Sequence, residues 1–66
     1  MERHVVVVVQ PPCGGGRRVC VDGHDAGRAR RPADVAELLR RAGVDPERMT
    51  DAATVEWRGG GPQSWR

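Results

Sequence analysis

The sequence contains no Ile, Phe, Tyr, Asn or Lys, and its only aromatic residues are two Trp. The absent residues have AT-rich codons, so the composition indicates a high-GC bacterial genome rather than a particular chemistry. Every strong cation is therefore an Arg, and the Arg content alone does not indicate nucleic-acid binding. With 66 residues the chain has room for one small domain, which excludes a TIM barrel or a complete Rossmann enzyme.

Long apolar runs and a strong net charge are also missing. The longest strongly apolar run is the five-Val segment 5–9, against the roughly 18 residues of a membrane span. This run follows Glu2, Arg3 and His4, which is not typical of a signal peptide. We therefore expect a cytoplasmic protein with reduced thiols that does not bind membranes. A net charge of +2 predicts only weak attraction to nucleic acid.

Two strands are predicted in the first third of the chain, and a short third strand follows them. Consecutive β-branched residues favour a strand over residues 3–10. Alternation over residues 17–22 predicts a second strand with Val19 and Val21 on one face. Turn residues at 23–27 then lead into a short third strand at 28–30.

The second half of the sequence predicts the helix and the last strand. The apolar spacing i, i+3, i+4, i+7 indicates a helix that begins at Pro32 and ends before Gly43. Asp45 is expected to cap a further helical turn, and residues 53–58 to form the last strand. The predicted fold is α+β, a small, mostly antiparallel sheet in the order β-β-β-α-β with one main helix on one face. Residues 1–58 form this domain, and residues 59–66 form a flexible Gly-rich tail that carries Trp65.

The Val segment is the main functional clue. Val5, Val7 and Val9 point to one face of the predicted strand, and Val6 and Val8 point to the other. A strand that is apolar on both faces is typically covered on both, but one helix covers only one face. A second copy of the chain, another protein or the tail must then cover the other face. The sequence thus favours a non-catalytic interaction module, an accessory or regulatory subunit that is homodimeric through the Val strand.

The two Trp residues have two interpretations. Trp57 and Trp65 either complete the chain's own apolar face, or the Gly-rich segment lets Trp65 dock in a pocket of a partner. The predicted partner-binding residues are Val6, Val8, Trp57 and Trp65.

An alternative function is nucleic-acid binding through an arginine cluster where the second and third strands meet. Arg pairs well with phosphate, although a solvated sheet edge that discourages aggregation is the favoured explanation of such a cluster. The candidate residues are Arg17, Arg18, Arg28, Arg30 and Arg31.

A second alternative is a zinc- or thiol-dependent module. Cys13, Cys20 and His24 are the candidate ligands, with His4 as a further possibility. Their spacing matches no familiar C-x₂-C zinc pattern, and a Cys13–Cys20 disulfide is disfavoured in a reducing compartment. The simplest interpretation leaves both thiols unlinked, so we expect no metal and no cofactor.

Catalysis is not expected. The single Ser, Ser64, lies in the predicted tail, which excludes a credible Ser-His-Asp triad. Asp22 and Asp25 flank His24 in a predicted turn, where a solvated hairpin tip explains them better than acid–base chemistry. The segment 14–18 (GGGRR) lacks the Lys-Ser/Thr of a P-loop and precedes no helix, so it is a weak phosphate-binding signal.

Overall fold

A computed structural model describes residues 5–65 and contains a four-stranded sheet with one α-helix. The elements, in chain order, are β1 (Val7–Val9), β2 (Arg17–Val21), β3 (His24–Ala29), α1 (Pro32–Arg41), a 3₁₀ turn (Pro46–Thr50) and β4 (Val55–Trp57). The predicted α+β class and the β-β-β-α-β order are confirmed. The first two residues of the predicted first strand, 3 and 4, lie outside the described residues.

The Val segment forms a central strand, as its β-branched residues predict. The strand order is β3-β2-β1-β4, with β1 antiparallel to β2 and parallel to β4. In the middle of the sheet Val8 has two Cα partners, Cys20 on β2 and Glu56 on β4. A parallel neighbour requires a crossover connection, and the segment with α1 and the 3₁₀ turn supplies it.

The β2–β3 turn is tighter than the sequence analysis predicts. It consists of Asp22 and Gly23, both with positive φ (51° and 83°), which is the preference of Asp-Gly in a two-residue hairpin. The predicted turn over 23–27 is therefore wrong, and β3 begins at His24. A register shift lets Ala26 fit as one extra residue between Asp25 and Gly27.

Helix α1 has the predicted start and end. Pro32 occupies its first turn, and the Asp34 carboxylate accepts a hydrogen bond from the Arg30 backbone N–H at 3.0 Å. Beyond the C-terminus, Gly43 has φ 80° and Val44 N–H donates to the Leu39 carbonyl at 2.8 Å. This is the Schellman arrangement, which favours Gly because a Cβ disfavours positive φ.

The two faces of the sheet have different environments. One face, here called the core face, packs against α1 and contains the hydrophobic core. The buried apolar residues are Val7, Val9, Val19, Ala29, Val35, Leu39, Val44 and Val55. On the other face, here called the open face, Val6 is 47% exposed and Val8 is half-buried. The alternation predicted for the Val segment is thus observed.

The described part of the chain, residues 5–65, contains no helix with the length and apolar character needed to cross a membrane.

Gly43 tests the helix end. Gly43→Ala should lower the free energy of unfolding by about 1 kcal/mol, because the Cβ meets open space and only the positive φ is penalised. Urea denaturation measures the change. D-Ala at position 43, introduced by chemical synthesis, is the matched control and should restore the stability. An equal loss with D-Ala would contradict the conformational explanation.

Candidate functional site

Arg17 is the most unusual residue of the structure because it is a fully buried arginine. The alternation of β2 places it on the core face with Val19 and Val21, and its exposed fraction is 0%. An Arg is almost never fully buried unless its charge and its N–H groups have partners. The partners of Arg17 therefore determine how this end of the core is built.

Five backbone carbonyls accept hydrogen bonds from the Arg17 guanidinium. Nε donates to Gln10 O at 2.9 Å, and the four remaining bonds run to carbonyls of the C-terminal segment. These four acceptors are Arg58 O (2.7 Å), Gly60 O (2.9 Å), Gly61 O (2.8 Å) and Ser64 O (2.7 Å). A guanidinium has five N–H donors, and these bonds use its full donor capacity. We call Arg17 and these five carbonyls the Arg17 clasp.

Both Trp residues complete the clasp. The Arg17 Cζ lies 5.1 Å from the ring centroid of Trp57 and 5.6 Å from that of Trp65, within cation–π range. The two rings meet edge to face, with centroids 6.3 Å apart and planes at 84°. Trp65 Nε1 donates to Pro62 O at 2.6 Å, which fixes the ring against the turn before it.

The clasp stabilises a buried charge without a carboxylate. Burial lowers the pKa of the Arg17 guanidinium, but an arginine pKa begins so far above neutrality that the group remains a cation. The negative ends of five carbonyl dipoles and the faces of two rings surround that cation. A planar, weakly hydrated guanidinium suits this environment, whereas a lysine ammonium has only three donors.

The Gly triplet forms a turn that aims its carbonyls at Arg17. Gly59 and Gly60 have positive φ (76° and 125°). An added Cβ would lie 2.7 Å from Pro11 Cβ at Gly59, and 2.7 Å from Ser64 Oγ at Gly60. In the structure, residues of the segment 59–65 accept hydrogen bonds from Arg17 and pack against the domain. Arg66 of the predicted tail lies outside the described residues.

This geometry decides where the two predicted Trp anchors lie. Trp57 follows the core-face register of β4, and both rings are half-buried against the chain's own core. Trp65 thus contacts Arg17 and Trp57 of its own chain. This arrangement corresponds to the interpretation in which both Trp residues complete the chain's own apolar face. The burial of Arg17 has a signal in the sequence. Arg17 lies two residues before Val19, so the alternation of β2 places both side chains on the apolar face.

The open face carries the other two predicted partner-binding residues, Val6 and Val8. Val6 N–H donates to the Asp22 carboxylate at 3.0 Å, and its side chain is the most exposed large apolar group of the described residues. Val8 lies between Cys20 and Glu56 on the neighbouring strands. Among residues 5–65, α1 and the C-terminal segment both lie on the core face and leave the open face uncovered. The β1–β2 loop reaches only its edge, where the Cys13 carbonyl accepts from Arg28.

The five candidate arginines do not form one cluster. Arg17 is on the core face, whereas Arg18 and Arg28 are Cα partners on the open face. Arg18 forms an ion pair with Asp25, and Arg28 donates to the Cys13 carbonyl. Arg30 and Arg31 follow β3 in the sequence and are both exposed. Arg31 Nε lies 3.8 Å from a carboxylate oxygen of Asp34.

The candidate metal ligands are also separate. Cys13 is exposed in the β1–β2 loop, Cys20 is half-buried on β2, and both are free thiols. His24 is exposed at the start of β3. Within residues 5–65, no three His, Cys, Asp or Glu side chains are grouped closely enough to hold a metal ion. The predicted set Cys13, Cys20 and His24 therefore does not form a site, and His4 lies outside the described residues.

A cleft of about 470 Å³ lies between the end of the sheet, the end of α1 and the 3₁₀ turn. Its carboxylates serve as caps of the backbone. Asp45 accepts from Glu47 N–H and Asp51 from Ala53 N–H, each at 3.0 Å, while Asp22 accepts from Val6 N–H. The presence of aspartates at these three positions is therefore explained by the backbone turns that they stabilise.

No family model, no curated protein and no solved structure matches the chain.

Arg17→Lys tests the clasp. Lys has three donors for five carbonyls, so at least two part-buried acceptors lose their partner. We expect the free energy of unfolding to fall by about 3 kcal/mol. Urea denaturation followed by Trp fluorescence measures it, because both Trp residues lie in the clasp.

Arg18→Lys is the matched control for this measurement. It makes the same substitution one residue along, where the side chain is exposed on the open face, and should change stability by no more than about 0.5 kcal/mol. Equal effects of the two substitutions would contradict the clasp.

Proposed function

We propose that this protein is a non-catalytic protein-interaction module, an accessory or regulatory subunit, and that its binding surface is the open face of the sheet. The observation that supports the proposal is the exposure of Val6 beside the half-buried Val8, on a central strand whose other face is fully packed. Apolar groups framed by charged ones are typical of a protein interface with an apolar centre and a polar rim.

The Arg17 clasp supports this proposal by removing one of the three candidate covers. The C-terminal segment is held on the core face by hydrogen bonds from Arg17 to the carbonyls of Gly60, Gly61 and Ser64. It is therefore not available to shield Val6 and Val8. A second copy of the chain or another protein remains, and a homodimer is the simplest arrangement because a two-fold interface needs no second gene.

The same face supports a protein partner better than nucleic acid. Nucleic-acid surfaces are typically strongly basic, whereas Arg18 and Arg58 are each neutralised by an acid, Asp25 and Glu56, on the open face. Mixed charge around apolar groups suits a protein surface of similar composition. We further propose a cytoplasmic location, where the two free thiols stay reduced.

Val6→Glu tests the proposed surface. It places a charge on the most exposed apolar residue and should weaken assembly at least about tenfold, because a buried unpaired carboxylate is costly. Assembly is measured as mass by sedimentation velocity for the purified chain. In addition, native-host proteins retained by the tagged chain are quantified.

Ala33→Glu is the matched control for Val6→Glu. It adds the same charge at an exposed position in the first turn of α1 and should leave assembly unchanged. The proposal fails if the two variants assemble equally well. It also fails if the wild-type chain is monomeric at millimolar concentration and retains no protein.

A further inference from the structure

The charges of the open face lie in rows that cross the strands. Cα partners in neighbouring strands point to the same face, so the register defines each row. Arg18 is paired with Arg28, and the bonds Gln10 N to Arg18 O and Arg58 N to Val9 O extend this row across β1 to the end of β4. We call Arg18, Arg28 and Arg58 the arginine row.

The neighbouring row is acidic. Asp25 on β3 is paired with Cys20, Cys20 with Val8, and Val8 with Glu56 on β4. We call Asp25 and Glu56 the acidic row, with Cys20 and Val8 between them. The next positions along the strands are occupied by Val6 and Asp22, whose carboxylate accepts a hydrogen bond from Val6 N–H. The open face thus carries its arginines at one end and its carboxylates at the other, with Arg18 and Arg58 each ion-paired across the two rows.

These charges are only partly matched within the chain. Arg18 pairs with Asp25 and Arg58 with Glu56, all four side chains being at least half exposed. Arg28 donates to a neutral carbonyl, that of Cys13, and forms no ion pair within residues 5–65. One end of the face therefore presents an arginine that an external carboxylate can bind.

Symmetry determines how two such faces can pack. A two-fold axis parallel to the strands would place each arginine row on the arginine row of the other copy, which is repulsive. An axis across the strands, between the two rows, reverses the strand direction. It then places each arginine row on the acidic row of the other copy, with β4 over β4. Of these two arrangements, only the second is electrostatically complementary, and it makes the face complementary to itself.

We propose that the open face binds a second copy of this chain about a two-fold axis that crosses the strands, so that the arginine row of each copy contacts the acidic row of the other. This inference rests on the proposed function and names its partner. Four strands of three to six residues, about 4.8 Å apart, give a face smaller in area than a standard interface of about 800 Å² per partner. The dimer is therefore weak, and salt weakens it further because its contacts join exposed charged side chains.

A charge exchange on β4 tests the arrangement. Glu56 and Arg58 pair with each other and are both 54% exposed, so substitution leaves the core intact. Arg58→Glu places like charges together in its homodimer, and Glu56→Arg does the same with the opposite sign. Each variant alone should dimerise at least about tenfold more weakly than the wild type in sedimentation equilibrium. An equimolar mixture should regain the wild-type affinity within about threefold, because each contact then joins opposite charges.

Two controls separate this result from a general effect of charge. Arg40→Glu makes the same charge change on α1, outside the open face, and should leave the dimer unchanged. The double variant Arg58→Glu, Glu56→Arg keeps the pair within the chain and should dimerise like the wild type. Trp fluorescence verifies that each variant is folded.

The outcomes distinguish this inference from the proposed function. Single variants that dimerise like the wild type, or a mixture that does not recover, would overturn the crossed arrangement. A chain that is monomeric alone but retains another protein through Val6 would overturn the second copy as partner and leave the interaction module standing. A monomer that retains nothing would overturn both.

Discussion

Burying the charge of Arg17 is the constraint on which the rest of the structure depends. A guanidinium enclosed at this position of the core face requires five acceptors, and only one of them, the carbonyl of Gln10, lies outside the C-terminal segment. The C-terminal segment supplies the other four. Because an unsatisfied buried donor is costly, the fold is complete only when this segment wraps around Arg17.

The composition explains why an arginine and two tryptophans fill this end of the core. The chain has no Phe, Tyr or Ile, and ten Val residues with two Leu provide most of its larger apolar volume. Trp57 and Trp65 add area, and the planar guanidinium lies within cation–π distance of both rings. A small domain that lacks large aliphatic and aromatic residues thereby obtains a closed core. The same arrangement fixes the C-terminal segment on one face and leaves Val6 exposed and Val8 half-buried on the other.

Much of the fold was predictable because it follows from local patterns. The Val alternation separates Val7 and Val9 from Val6 and Val8, and the stripe on α1 identifies Val35 and Leu39 as core residues. The Asp22-Gly23 turn was also predictable, because this residue pair favours a two-residue hairpin over a longer turn. Local rules succeed here because each of these elements satisfies its own preferences.

The clasp and the charge rows were not predictable in the same way. A Gly triplet in isolation is typical of a flexible linker, and only the buried guanidinium 40 or so residues earlier gives its carbonyls a common direction. The rows depend on register, which Ala26 shifts by one residue within β3. Long-range pairing of this kind is set by tertiary structure. Of these features, only the burial of Arg17 could have been predicted, because Arg17 and Val19 are two residues apart and therefore share one face of the strand.

The most direct test of the central claim is an NMR measurement of the arginine side chains. The account predicts one guanidinium, that of Arg17, whose N–H protons exchange slowly with water. Those protons should show ring-current shifts and nuclear Overhauser contacts to the indole protons of Trp57 and Trp65. If all arginine guanidinium protons exchange as fast as those of a solvated side chain, Arg17 is not enclosed and the account is contradicted.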